Sequence, residues 1–158
     1  MRAAALLLLT GCLAATAGTT TLGRQVSARA DAPAVAATTS VRSLYIVHCA
    51  GCHGRDGAGS TLGRVPDMRR LGQFLRLDGG REFVIKVPGV MGSGLSDREV
   101  AAVTNWVLGT LAPDSVPAGH APYQAAEVQR ARETPLVDVA AARERLLLQA
   151  RARGVAID

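Results

Sequence analysis

The stretch Cys49-Ala50-Gly51-Cys52-His53 decides how the rest of the chain is read. Its two thiols stand three residues apart, on one face of a helical turn, and an imidazole follows directly. C-x-x-C-H is the attachment pattern of a c-type haem. Both thiols can reach one edge of a porphyrin and form thioethers with its two vinyl groups. A backbone tied in this way brings His53 within reach of the iron as proximal ligand. Other chemistries also use paired cysteines. A zinc site needs four ligands; Cys49, Cys52 and His53 supply three, His48 is the only further candidate nearby, and there is no second C-x-x-C. A thioredoxin-like dithiol would need a βαβ pattern around it, whereas Gly54-Arg55-Asp56-Gly57-Ala58-Gly59 follows here and reads as loop.

Read outward, the run from Cys49 to Gly59 resembles the C-x-x-C-H-G-x-x-G-x-G opening of bacterial class I cytochromes c. The resemblance covers about residues 41 to 112. It implies an all-α fold, a small cytochrome c fold wrapped around one covalent haem c per chain. Pro66, thirteen residues after His53, is similar to the family's proline whose carbonyl accepts a hydrogen bond from the proximal histidine and sets its tautomer and basicity. Met91, followed by Leu95-Ser96-Asp97-Arg98-Glu99 and an apolar helix, looks like the family's axial-methionine loop. A thioether at the sixth position favours reduced iron and blocks the site to oxygen, carbon monoxide or peroxide. Met91 lies in Gly89-Val90-Met91-Gly92-Ser93-Gly94, read as a flexible loop able to cover the distal face, although Gly92 stands where the family often has proline. Met68, fifteen residues after His53, is the rival and is read as a wall of the haem pocket. Phe74, with Leu75, Leu77 and Phe83, is expected to line that pocket from one or two short helices. His48 is expected to point outward, and His120 lies in a Pro/Gly-rich connector; neither is a favoured ligand.

The flanking segments read as helices with identifiable ends. Val41, Leu44, Tyr45 and Val47 fit a first helix capped by Ser40 that delivers the cysteines to the ring. Ser96 with Glu99 three residues later is a capping box, and Val100, Val103, Val107 and Leu111 then mark one face of a closing helix. In the resembling family the first and last helices cross, and Tyr45 and Trp106 are expected to pack near that crossing. The cytochrome-like segment is placed at 41–112, with a connector at 113–122 and a C-terminal helical extension at 123–158. In the extension, Tyr123 to Arg132 reads as a helix, Thr134-Pro135 as a break, and Asp138 as the cap of a second helix running to Arg153 before Gly154. Val139, Ala142, Leu146 and Ala150 give that second helix an apolar face. It is expected to cover the haem domain or to dock a dehydrogenase or oxidase. A core of about 70 residues is marginal alone, so a buried covalent haem would contribute much of the folding energy.

Residues 1–30 read as an export signal: Met1-Arg2, then an apolar run from Ala3 to Leu9 far too short to span a membrane. Two fates are open for Cys12. Leu9-Thr10-Gly11-Cys12 fits a lipobox, which would anchor the mature chain by a lipid, whereas cleavage after Ala17 or Ala30 would discard the cysteine. Residues 31–40 read as a flexible tether. The formal charge of +5 shrinks on cleavage after Ala30, since three arginines leave and 15 basic residues face 13 acidic. No basic stripe interleaves with aromatics, which are 3% of the chain, so no nucleic-acid binding is expected. Arg64, Arg69, Arg70, Arg76 and Arg81 read either as a solvated surface or as a basic ring that steers acidic redox partners. Residues 113–158 carry six basic and six acidic groups, a balance ill suited to steering.

The expected function is therefore a periplasmic one-electron carrier between protein redox partners, not itself an enzyme, soluble or lipid-anchored, with a dehydrogenase as one candidate partner. The alternative is a haem sensor or peroxidase-like protein with an open sixth site.

Overall fold

The computed structural model describes residues 40–157; the expectations for the leader, Cys12 and the rest of the tether lie outside them. The architecture is all-α, and among the described residues the only extended pairing is a single antiparallel bridge between Ser60 and Val65. The helices are α1 (Val41–His48), α2 (Ala50–His53), α3 (Gly80–Lys86), α4 (Pro88–Met91), α5 (Asp97–Thr110), α6 (Ala125–Glu133) and α7 (Val139–Arg153). Two 3-10 segments, Met68–Arg76 and Pro113–Ser115, join them. Among the described residues no helix is long and apolar enough to cross a membrane.

Helix starts follow local chemistry. The Ser40 hydroxyl accepts from the Ser43 amide at 3.1 Å, so α1 starts where a side chain satisfies an otherwise orphaned N–H. At α5 the capping box forms in both directions: the Glu99 amide donates to the Ser96 hydroxyl, and the Ser96 amide donates to the Glu99 carboxylate at 2.8 Å. The Ser96 hydroxyl, which also donates to the Glu99 carboxylate at 2.6 Å, and then the Ser96 amide hold the Glu99 carboxyl below its usual range. Asp138 caps α7, which ends at Gly154 in the left-handed conformation.

Helix α1 packs on α5. Tyr45 is fully buried there, its ring 5.1 Å from that of Trp106, and Val100, Val103 and Val107 turn the same face of α5 inward. Leu111, the next residue of that apolar series, caps the helix and is only half-buried. The second half of the core is built by the extension. Helix α6 lies against α5 and α3, α7 against α3, and Val128, Ala131, Ala142, Leu146 and Ala150 join the same buried cluster as Ile85 and Leu108.

Tyr123 departs from the sequence reading, which places it inside the first helix of the extension. It precedes α6 in an irregular stretch because a side chain satisfies its backbone: its amide donates to Asn105 Oδ1 at 2.8 Å, and Asn105 Nδ2 donates to its carbonyl at 3.0 Å. Its hydroxyl donates to the Arg81 carbonyl at 2.8 Å, and burial pushes the phenol well above its ordinary range. Arg81 is likewise a strut. Its guanidinium stacks 4.0 Å over the Tyr123 ring, chelates Glu127 at 2.5 and 2.8 Å, and donates to the Ala121 carbonyl at 2.7 Å. Arg69 is similarly occupied by Asp67. His120, against the same guanidinium, has its pKa lowered by burial and then by Arg81, which fits a neutral ring with Nδ1 accepting from Arg81 at 3.3 Å.

The Arg81 bond holds the Glu127 carboxyl below its ordinary value of 4.5. A depressed folded pKa means that the pair's contribution is complete above pH 4.5 and is lost as pH falls through the lower folded value. Urea unfolding of Glu127→Gln should therefore show its largest deficit against wild type at neutral pH, shrinking below pH 4.5. A deficit independent of pH would mean that the carboxylate charge plays no part.

Candidate haem-attachment site

Cys49, Cys52 and His53 sit where α1 hands over to α2. Cys49 ends α1 with its amide donating to the Tyr45 carbonyl at 2.9 Å, and its own carbonyl accepts from the amides of Cys52 and His53 at 3.2 and 3.0 Å. One tight turn thus carries both sulfurs and the imidazole. Both thiols are free; Cys52 is exposed and Cys49 half-buried, and burial raises the Cys49 pKa. The chain leaves the turn at Gly54, whose φ of 78° suits glycine, and the Tyr45 hydroxyl donates to the Gly54 carbonyl at 2.6 Å. Tyr45, read from sequence as core alone, therefore also pins the exit of the motif.

His53 Nδ1 donates to the Pro66 carbonyl at 3.1 Å. This bond fixes the tautomer: Nδ1 carries the proton and Nε2 keeps its lone pair, the state in which an imidazole ligates a metal. The carbonyl is delivered by a loop that folds back on the motif. The Gly59 amide donates to the His53 carbonyl at 2.9 Å, Ser60 and Val65 exchange bonds at 2.9 and 3.0 Å, and the Met68 amide donates to the Gly57 carbonyl at 2.8 Å. Gly59 is what permits the approach. Its φ is 69°, and a Cβ there would lie 2.3 Å from the Val65 oxygen and 2.6 Å from the Pro66 oxygen that receives His53. The reading from sequence did not single out Gly59, although it stands at the last glycine of the quoted motif.

The other expected site residues fall in three places. Met68 opens the first 3-10 segment, half-buried beside Gly57. Phe74 is buried at 8% exposure and stacks on Phe83, their centroids 5.4 Å apart, inside the protein core. Met91 is half-buried at the end of α4. The sequence around it reads as flexible loop, but Pro88, preset for the first position of a helix, starts a turn in which the Met91 amide donates to the Val87 carbonyl at 3.0 Å. His48 is exposed, as expected, yet engaged: its Nδ1 donates to the Ser93 carbonyl at 3.0 Å, tying the attachment turn to the segment after Met91.

These residues fit a covalent haem on three observations. The thiols are unoxidised on one turn, His53 has one ring nitrogen oriented and the other available, and Met68, Leu71, Leu75, Val87, Val90 and Leu111 border the core only partly buried. Among the described residues no three or more Cys, His, Asp or Glu side chains converge to hold a metal ion.

A small helical protein whose C-x-x-C-H turn has its histidine oriented by a carbonyl thirteen residues on has the makings of a haem-binding helical domain. The comparisons with known proteins carry this further. No protein-family model matches the chain. It is 31% identical over 121 residues to cytochrome c-552 of Thermus thermophilus, an alignment covering 64% of this chain and 92% of that protein. To a second cytochrome c-552 of Thermus thermophilus it is also 31% identical over 121 residues, and 82% of that protein is covered. The chain belongs to the c-type cytochromes, the family of electron-carrying haem proteins.

Gly59→Ala should cost about 2 kcal/mol or more in urea unfolding, because the left-handed backbone and the crowded carbonyls oppose it together. Gly109→Ala, on α5 with nothing within 4 Å of the added methyl, should instead be neutral or gain up to about 1 kcal/mol. Equal effects at the two positions would remove Gly59 from its role in delivering the Pro66 carbonyl.

Proposed function

We propose that this cytochrome is a monohaem, one-electron carrier working outside the cytoplasm between protein redox partners, and is not an enzyme in its own right. The observation that carries the reading is the His53 to Pro66 hydrogen bond placed directly behind two free thiols. Cys49 and Cys52 would each add an S–H across a vinyl group to give a thioether. His53 would hold the iron through Nε2 as proximal ligand, and the Met91 thioether would supply the distal ligand. Haem bound in this way supplies a single reversible electron, and a methionine opposite histidine raises the potential and keeps exogenous ligands off. The chain's residues do the remainder. The Pro66 carbonyl keeps the imidazole in its donor tautomer, Met68 closes the pocket as wall, and the apolar fringe excludes water.

The partners are proteins that meet an exposed haem edge, a dehydrogenase among them. The extension contributes to the core through Tyr123, Val128 and Leu146, which supports a structural role for it and leaves docking to other surfaces. Export, and either a lipid on Cys12 or its removal with the leader, completes the reading, since this haem is attached outside the bacterial cytoplasm.

The reduced, haem-loaded protein should give the same optical spectrum with and without carbon monoxide. Met91→Leu should react with carbon monoxide at once and lose roughly 0.1 V or more of potential, a fraction of the ~0.8 V that axial ligation spans. Met68→Leu should change neither property. Immediate reaction of the wild type would favour a sensor or peroxidase-like protein, and loss of ligation only in Met68→Leu would exchange the two methionines.

A further inference from the structure

The Met91 segment is fastened at both ends by one turn of the C-terminal extension. On its N-terminal side, Lys86 ends α3 and is 7% exposed; its Nζ donates to the Thr134 hydroxyl at 2.7 Å and pairs with Glu82. On its C-terminal side, Arg132 Nη2 donates to the Leu95 carbonyl at 2.7 Å, and its Nε lies 3.2 Å from Asp97 Oδ1. Arg132 and Thr134 are two residues apart, at the last turn and cap of α6. Between these anchors lie only residues 87–94, Met91 in the middle. Within that span Ser93 Oγ donates to the Val90 carbonyl at 2.7 Å, and His48 holds the Ser93 carbonyl.

The two anchors are chemically costly to release. Freeing Lys86 from Thr134 leaves a buried ammonium with one fewer acceptor. Freeing Arg132 leaves its buried Nε and the buried Asp97 Oδ1, which has no hydrogen bond besides that ion pair, without a partner. A segment of eight residues held this way has little freedom to swing. Neither anchor has to touch the iron to decide how far Met91 can withdraw from it.

Resting on the reading of Met91 as distal ligand, we propose that Arg132 and Thr134 are positioning residues: the extension braces the Met91 segment through them and sets how readily the sixth coordination site opens. The brace acts through packing and hydrogen bonds on residues flanking the ligand, so its removal should raise the rate of methionine dissociation more than it alters the fold.

The test is carbon monoxide binding to the reduced, haem-loaded full chain in Arg132→Gln, Thr134→Val and the double variant, with Arg132→Lys as the conservative replacement and Arg130→Gln on the same helix as control. Thr134 is exposed and Thr134→Val conserves its shape, so that variant reads the brace even where the double variant is too unstable. The brace predicts binding at least tenfold faster in the double variant, a smaller gain in each single one, partial restoration by Arg132→Lys and none from Arg130→Gln. Unfolding in urea serves as the comparison, because a merely structural role would lower stability and leave carbon monoxide reactivity at the wild-type level. Reactivity within twofold of wild type in both Thr134→Val and Arg132→Gln overturns the brace if Met91→Leu, measured alongside, reacts at once. A Met91→Leu protein as inert as wild type overturns the ligand assignment itself, and the brace with it.

Discussion

Everything near the attachment turn depends on the hydrogen bond from His53 Nδ1 to the Pro66 carbonyl. One ring nitrogen must be held as donor for the other to serve as ligand, and thirteen residues of chain must fold back to bring the acceptor there. That requirement explains the loop. Gly54 and Gly59 turn with positive φ, Ser60 and Val65 form the bridge that closes the hairpin, and Gly59 leaves empty the volume that its own Cβ would take from the Pro66 oxygen. Tyr45 adds a second constraint from α1, since its hydroxyl holds Gly54 while its ring meets Trp106. The turn is therefore held from two sides, by the Pro66 carbonyl and by Tyr45.

The remainder of the chain couples that turn to the segment around Met91. His48, directly before Cys49, holds the Ser93 carbonyl, and α6 holds both ends of the segment between them. The extension is thus more than a lid over an exposed face. Its Tyr123 exchanges both backbone bonds with Asn105 on α5, and its Glu127 chelates Arg81 on α3. A domain of about 70 residues buries too little surface to be comfortably stable. Here α6 and α7 enlarge the core with Val128, Ala131, Leu146 and Ala150.

Features governed by local chemistry were legible in the sequence. The C-x-x-C-H turn, the Ser40 and Asp138 caps, the Ser96 and Glu99 box and the Gly154 stop depend on residues within a few positions of one another, and the structure places them accordingly. Pro66 was legible only through the resemblance, because a carbonyl leaves no mark in a side-chain pattern. Tyr123 read as helical since its neighbours form helix well, and the competing partner, Asn105, is eighteen residues away. From sequence Arg132 looks like any solvated arginine and Arg81 like a surface or steering one; their roles arise from carboxylates and carbonyls 35 to 46 residues distant. The segment around Met91 reads as loop from its glycines, and Pro88 with the flanking anchors outweighs them. Long-range polar pairing is what periodicity does not encode.

The central claim is that the turn at residues 49–53 carries one covalent haem. Intact-mass measurement of the exported protein, with a count of titratable thiols at Cys49 and Cys52, tests it most directly. The account expects a mass raised by one haem that survives denaturation, with neither thiol reactive. An unmodified mass with both thiols reactive, in protein made where haem attachment is competent, would contradict it.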